Sequence, residues 1–219
     1  MHDYSFLFGA CAPDHIQKAA NHIIFSDNKK TMIELPPRSG KTSLALSYIA
    51  AMMVSDKSIL HINLLPVHAL PVPMWNGKSM KNLTVIKILD DIDGNDFDMV
   101  LVDDPIRNMF QSRDVKEISK MVSWWETSVV PSLSETGRQI VIGTRWGQND
   151  FMGQIKDGFD VLTIPALDRY GRSYWPDMFP VSQLKEIQQS AGDYAFDWLY
   201  QQGSPVYETR AVAISKDDV

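Results

Sequence analysis

Short, almost purely apolar runs recur along the chain, and most are followed by a polar break or a stretch with helical spacing. TMIEL (31–35), SILHINLL (58–65), LTVIKIL (83–89), FDMVLV (97–102), RQIVIG (138–143) and DVLTIPAL (160–167) read as six strands. KTSLALSYIAAMMVSD (41–56) is rich in Ala, Leu and Met, contains no breaker, and predicts a helix. A second long helix is expected from near Ser112, a good N-cap residue, with Val115, Ile118, Val122, Trp125 and Val129 on its apolar face. VSQLKEIQQSAGDYAFDWLYQQG predicts two helices broken near Gly192. Residues 66–76 carry three prolines and read as a loop, DDIDGND as a turn, and the chain after Pro205 as a tail or linker. Strands alternating with helices argue for βαβ units: an α/β domain with a mainly parallel sheet and helices on both sides.

Composition narrows the partners. The 219 residues are 44% hydrophobic and 22% charged, with a formal charge of −6, so DNA contact would have to come from local Lys/Arg clusters and not from a global basic field. The single cysteine, Cys11, excludes an internal disulfide and suggests a reducing compartment. It shows no metal-ligand spacing with His2, His15, His22, His61 or His68. The longest apolar stretch, LALSYIAAMMV, is too short for a bilayer, and SFLFGACA makes a poor signal peptide; a soluble intracellular protein is expected.

The first candidate chemistry lies in IELPPRSGKTSLAL (33–46), where Gly40-Lys41-Thr42 stands between a strand and a helix. Backbone N–H groups at a helix N-terminus can surround a triphosphate, a lysine reaches the terminal phosphates and a threonine hydroxyl holds Mg²⁺. Leu35 replaces the usual leading glycine, and Pro36 and Pro37 have no N–H, so the cradle falls to the amides of Arg38, Ser39, Gly40, Lys41, Thr42 and Ser43. The similar NGKS at 76–79 has no strand closely before it and is set aside.

FDMVLVDDP supplies the second element. Asp103 fits a magnesium shell and Asp104 a water-activating acid, although Asp-Asp-Pro also suits a solvated strand exit. QIVIGTRW ends a third strand in Thr144, a small polar residue suited to sensing a γ-phosphate.

LPPRSGKT, VLVDDP, the Trp124-Trp125 pair, VIGTRWGQNDFMGQI, IPALDRYGRSYWPDMF and FDWLYQQGSPV occur in an order that resembles the large terminase subunit of tailed bacteriophages, over about residues 13–206. The resemblance implies the P-loop NTPase fold (ASCE, RecA-like) and an ATP-driven motor that packages double-stranded DNA into a procapsid. The implied cofactors are ATP and Mg²⁺. The implied partners are DNA, the portal protein, the small terminase subunit and further copies of the chain in a ring, usually a pentamer, with a monomer expected in isolation. It also implies assembly in the host cell cytoplasm. By resemblance Lys41 and Arg38 act on phosphates, Thr42 and Asp103 on the metal, Asp104 on water, Thr144 in coupling and Gln17 on adenine. A solvated helix-face glutamine is the competing reading for Gln17.

The ATPase domain is expected over 1–205, with a small helical subdomain from about 1–25 and 177–205 and a tail over 206–219 that would lead to an absent nuclease domain. No nuclease activity is expected of this chain. Where many relatives carry Gly-Arg before the acidic strand, this chain has Gly94-Asn95. A trans-acting arginine is therefore sought among Arg38, Arg107, Arg113, Arg138 and Arg145. A nucleotide-binding assembly module, or a helicase-like ATPase with little turnover, is the alternative. Trp125 is expected in the core, and Trp124 against a neighbouring subunit or subdomain.

Overall fold

The structure, a computed structural model, describes residues 12–52, 57–63, 82–92 and 96–203. Expectations for residues 53–56, 64–81 and the tail lie outside them. In chain order the elements are α1 (Asp14–Phe25), β1 (Lys30–Glu34), α2 (Lys41–Met52), β2 (Ile59–Asn63), β3 (Leu83–Lys87), β4 (Phe97–Asp103), α3 (Met109–Arg113), α4 (Val115–Trp124), β5 (Leu133–Gly143), α5 (Phe151–Ile155), β6 (Asp160–Thr163), α6 (Val181–Ala191) and α7 (Asp193–Leu199). The six strands form one sheet in the order β3-β2-β4-β5-β1-β6, and every pairing is parallel. This is an α/β fold: a wholly parallel sheet flanked by helices.

Side chains alternate across the sheet, which splits each apolar run between two cores. Ile33, Ile59, Met99, Leu101, Ile140 and Ile142 face α1 and α2. Met32, Leu60, Ile62, Val100, Val102 and Val141 face the opposite way, toward Ile118, Met121, Trp125, Phe151 and Met152 of the α4 and α5 region. Burial on both faces is why the central strands read as unbroken apolar runs. The flanking β3 and β6 are only partly buried.

A third cluster, built on Ala166, Phe179, Leu184 and Phe196, belongs to α6, α7 and the segment before them. Helix α1 instead packs on the sheet, through Ile16, Ala19, Ala20 and Ile23. The two regions meet at the His15 ring, whose centroid is 4.8 Å from Tyr174 and 5.0 Å from Trp175.

Several boundaries differ from the sequence expectation. Strand β6 stops at Thr163, short of Leu167: Ile164 adds one more bond to Glu34 O, but Pro165 has no N–H to continue the ladder. Ser112 is not a cap. It lies inside α3, its hydroxyl donating to Met109 O, while Asp114 caps α4 by accepting from the Lys116 and Glu117 amides at 3.0 and 3.1 Å. Val115, at the first position of α4, is 77% exposed and does not join the apolar face. The helix then widens into a π turn over Trp125–Val129, closed by the Val130 amide on Trp125 O, which keeps both Trp125 and Val129 buried. Trp124 is half-buried: it packs on the α4-side core and its indole N–H donates to Asp90 O at 3.0 Å.

The capping assignment gives a direct check. Asp114→Ala leaves two first-turn amides without their acceptor and lowers unfolding stability by about 1 kcal/mol in urea titration.

Candidate active site

Three strands deliver the sequence-predicted residues to one end of the sheet. β5 lies between β1 and β4, and its last residues extend the ladder both ways: Leu35 N donates to Gly143 O at 2.9 Å and Asp104 N to Ile142 O at 2.8 Å. The exits of β1, β4 and β5 are thereby held side by side. Carboxyl ends of parallel strands are where such folds bind ligands.

After β1 the chain turns through Pro36 and Pro37 into Arg38, which adopts a left-handed backbone (φ +59°), and then Gly40 (φ +91°). A left-handed conformation costs a non-glycine residue about 1–2 kcal/mol. Asp104 (φ +51°) and Gln202 (φ +57°) share it, so three of the four such non-glycine residues among the described ones lie around this end of the sheet. Strain of this kind collects at functional sites.

Lys41, at the start of α2, is buried and donates from Nζ to Pro36 O at 3.1 Å, with Asp104 Oδ2 3.5 Å away. Burial pushes its pKa down, and Asp104 and Asp103 work against that. Asp104 is half-exposed; its other carboxylate oxygen accepts from the Thr144 amide at 3.3 Å. The Thr144 hydroxyl donates to Leu35 O at 2.9 Å. Lys41, Asp104, Thr144 and Leu35 thus form one hydrogen-bonded circuit that joins all three strand exits.

Asp103 is buried at the end of β4. Its Oδ2 accepts from Asn63 of the adjacent β2, at 3.4 Å, and its Oδ1 makes no hydrogen bond. Burial pushes its pKa up to about 6; the Thr42 hydroxyl and Lys41 favour the charged form, and Asp104 opposes it. The Ser39 hydroxyl is also buried without a partner. Eight other buried side-chain polar atoms among the described residues also lack a partner, so these two count only together with the charges gathered beside them. No group of three His, Cys, Asp or Glu side chains could hold a metal among the described residues. A lone Asp103 oxygen near the Thr42 hydroxyl nonetheless fits a hard, oxygen-seeking ion that takes its remaining ligands from phosphate and water.

Gln17 stands on the exposed side of α1, its amide donating to Ala12 O at 2.7 Å. Its neighbours reach the loop directly: His15 Nε2 donates to Ser39 O at 2.9 Å, and Ile16 lies against Gly40. Sequence reading missed His15, whose place in an ordinary amphipathic pattern gave no sign of the contact. Asn63 was equally hidden, as a polar end to an apolar run.

Two proposed trans-acting arginines are committed internally. Arg138 donates to Ile23 O at 2.8 Å and lies 3.4 Å from the Tyr48 hydroxyl. Arg145 is 4% exposed; it pairs with Glu34 at 2.8 Å and with both oxygens of Asp150 at 3.1 Å, and also donates to the carbonyls of Gly147 and Gln148. Burial disfavours its charge, but Asp150 and Glu34 outweigh it and hold its pKa above the ordinary value. Neither side chain is available to a neighbour's nucleotide. Arg38, Arg107 and Arg113 are exposed, Arg113 lying 5.3 Å over the Tyr194 ring.

No protein-family model matches the chain, and no curated protein matches it. Solved structures do. The large terminase ATPase domain of Thermus phage P74-26 is 17% identical, with a TM-score of 0.57, over 90% of this chain and 95% of that one. The large terminase of a thermophilic bacteriophage is 8% identical with a TM-score of 0.55, over 87% of this chain and 54% of that one. Its ADP complex is 9% identical with a TM-score of 0.51, over 86% of this chain and 52% of that one. This chain therefore spans about half the length of that terminase. The fold is that of phage large terminase ATPase domains.

Two outcomes are expected. Asp103→Asn removes a buried carboxylate whose folded pKa, about 6, exceeds its unfolded value of 3.8. The wild type loses stability as pH rises through that window, so the variant is more stable by roughly 3 kcal/mol above pH 7, and the gap closes as pH falls toward 4. Thermal melts across pH without added metal measure it. Arg145→Met strands Glu34 and Asp150 as buried charges and costs about 3–5 kcal/mol in denaturant unfolding.

Proposed function

We propose that this chain is the ATP-hydrolysing motor domain of a phage large terminase and drives double-stranded DNA into a procapsid. The observation that carries the reading is the convergence of Lys41, Asp103, Asp104 and Thr144 at three adjoining strand exits, with two buried polar atoms, Ser39 Oγ and Asp103 Oδ1, lacking partners. The terminase fold supports it. ATP is the substrate, its triphosphate received by the amides of Arg38 through Ser43. Arg38, Lys41 and Thr144 would face the phosphates, and Gln17 the adenine.

Thr42 and Asp103 would hold Mg²⁺, which when bound neutralises charge on the phosphate oxygens. Lys41 now bridges Pro36 O and Asp104. A triphosphate would draw its ammonium away and free the Asp104 carboxylate to orient a water in line and accept its proton. Thr144 contacts both that carboxylate and the strand leading to the loop, so loss of the γ-phosphate would be felt at β5. An arginine of the next subunit would complete the charge stabilisation. Arg38, Arg107 and Arg113 keep that role, and the ring, portal and small subunit supply the setting in the host cytoplasm. The domain is taken to span residues 1–205, and its small helical part is built on α6, α7 and the segment before them, which α1 meets at His15.

Phosphate release by the wild type, Lys41→Ala and Asp104→Asn at high protein concentration is the test. Each variant is expected to lose roughly 100-fold or more in turnover, with Asp104→Asn still binding nucleotide. A wild type no faster than Lys41→Ala would leave a nucleotide-binding assembly module as the reading.

A further inference from the structure

The residue after Thr144 leads away from the phosphates to a turn with no assigned role. The backbone N–H of Arg145 donates to Gln202 Oε1 at 2.9 Å. Strand β5 has ended at Gly143, so this amide meets a side chain in place of a neighbouring strand. Gln202 is 3% exposed, and its Nε2 donates to Leu199 O at 2.6 Å. It holds a left-handed backbone, although Gly203, where that geometry costs little, is the next residue. A turn selected only to end a helix would place glycine at the first left-handed position. The side-chain bond to Arg145 is what a glycine there would lose.

The rest of the turn is fastened to the same region. The Arg145 guanidinium lies 5.7 Å over the Trp198 ring. Gly203 presses on that ring so closely that a Cβ would fall 2.4 Å from it. Tyr200 O accepts from Ala166 N at 2.7 Å, and the Gln201 amide bonds both N–H and O of Leu167, at 2.9 and 3.2 Å. The Tyr200 phenol also feels the charge of Arg38 in the phosphate loop: burial raises its pKa and Arg38 opposes the rise. One turn, 198–203, therefore touches the end of β5 and the segment after β6, and its Tyr200 lies close enough to Arg38 to feel that charge.

We propose that Gln202 is a positioning residue: it fixes the Thr144–Arg145 peptide, and through it the 198–203 turn moves with Thr144 when nucleotide binds. The inference rests on the nucleotide reading given above. Arg145 is clamped by two carboxylates and two carbonyls, so it cannot swing alone. A shift of Thr144 toward a phosphate must therefore break the Gln202 bond or carry Gln202 along. Interiors resist small continuous strain and pass it on as displacement of packed units.

Amide hydrogen exchange on the whole chain, with and without a nonhydrolysable ATP analogue and Mg²⁺, tests it. In the wild type the analogue should slow exchange at 38–44, 144–150 and 199–203 together. Gln202→Met keeps the length and removes the bonds. It should retain the response at 38–44, lose it at 199–203, and lower kcat with KM for ATP within about twofold, the pattern of a group acting after substrate binding. Gln202→Asn tolerates the left-handed backbone but is a methylene too short to reach Arg145. It should behave like the methionine variant and serves if that protein fails to fold. A wild type responding at 38–44 but not at 199–203 overturns the proposal, as does a variant that keeps the full response. No response at 38–44 overturns the nucleotide reading instead, and the positioning role with it.

Discussion

The structure depends on β5 lying between β1 and β4. Two backbone hydrogen bonds beyond the regular ladder, from Leu35 to Gly143 and from Asp104 to Ile142, set the start of the glycine-containing loop before α2 and the acidic exit at fixed distances from Thr144. The Lys41–Asp104–Thr144–Leu35 circuit is possible because of that placement. With any other strand between them, loop and acids would be separated by a further strand spacing of about 4.8 Å, beyond direct contact.

Around this arrangement the protein tolerates costs that a purely structural domain would avoid. Asp103 is buried with one oxygen unpaired and its pKa raised, Lys41 is buried with its pKa lowered, and Arg38 and Asp104 hold left-handed backbones. Each opposes stability, and together they lie within a few residues of two strand ends. The contrast is the Arg145 cluster, where an equally buried charge is fully partnered by Glu34 and Asp150. One group of ionisable residues is left incomplete and its neighbour is closed. That difference sets an open, strained cluster apart from a closed polar joint that fixes geometry.

Much of the fold was legible in the chain because its signals are local. The apolar runs at 31–35, 97–102 and 138–143 became central strands, and Gly192 broke the C-terminal helices where φ +82° demanded it. The errors came where two local signals competed. Ser112 and Asp114 both suit a cap, and the carboxylate two residues later won by accepting two amides. The π turn that holds both Trp125 and Val129 inward leaves no mark in residue type.

For the site, the sequence by itself determined the chemical kinds of residue and their attachment to strand ends: Gly40-Lys41-Thr42 after one apolar run, Asp103-Asp104 after another, Thr144 after a third. These follow from chain-local rules, since a strand delivers whatever residue follows it to its own end. Strand order, the use of Arg145 as an internal clamp, the His15 grip on the Ser39 carbonyl, Asn63 beside Asp103 and Gln202 on the Arg145 amide were decided only by tertiary structure. Each joins segments that are far apart in the chain, and no residue's own preferences name a partner that packing alone brings within hydrogen-bond reach.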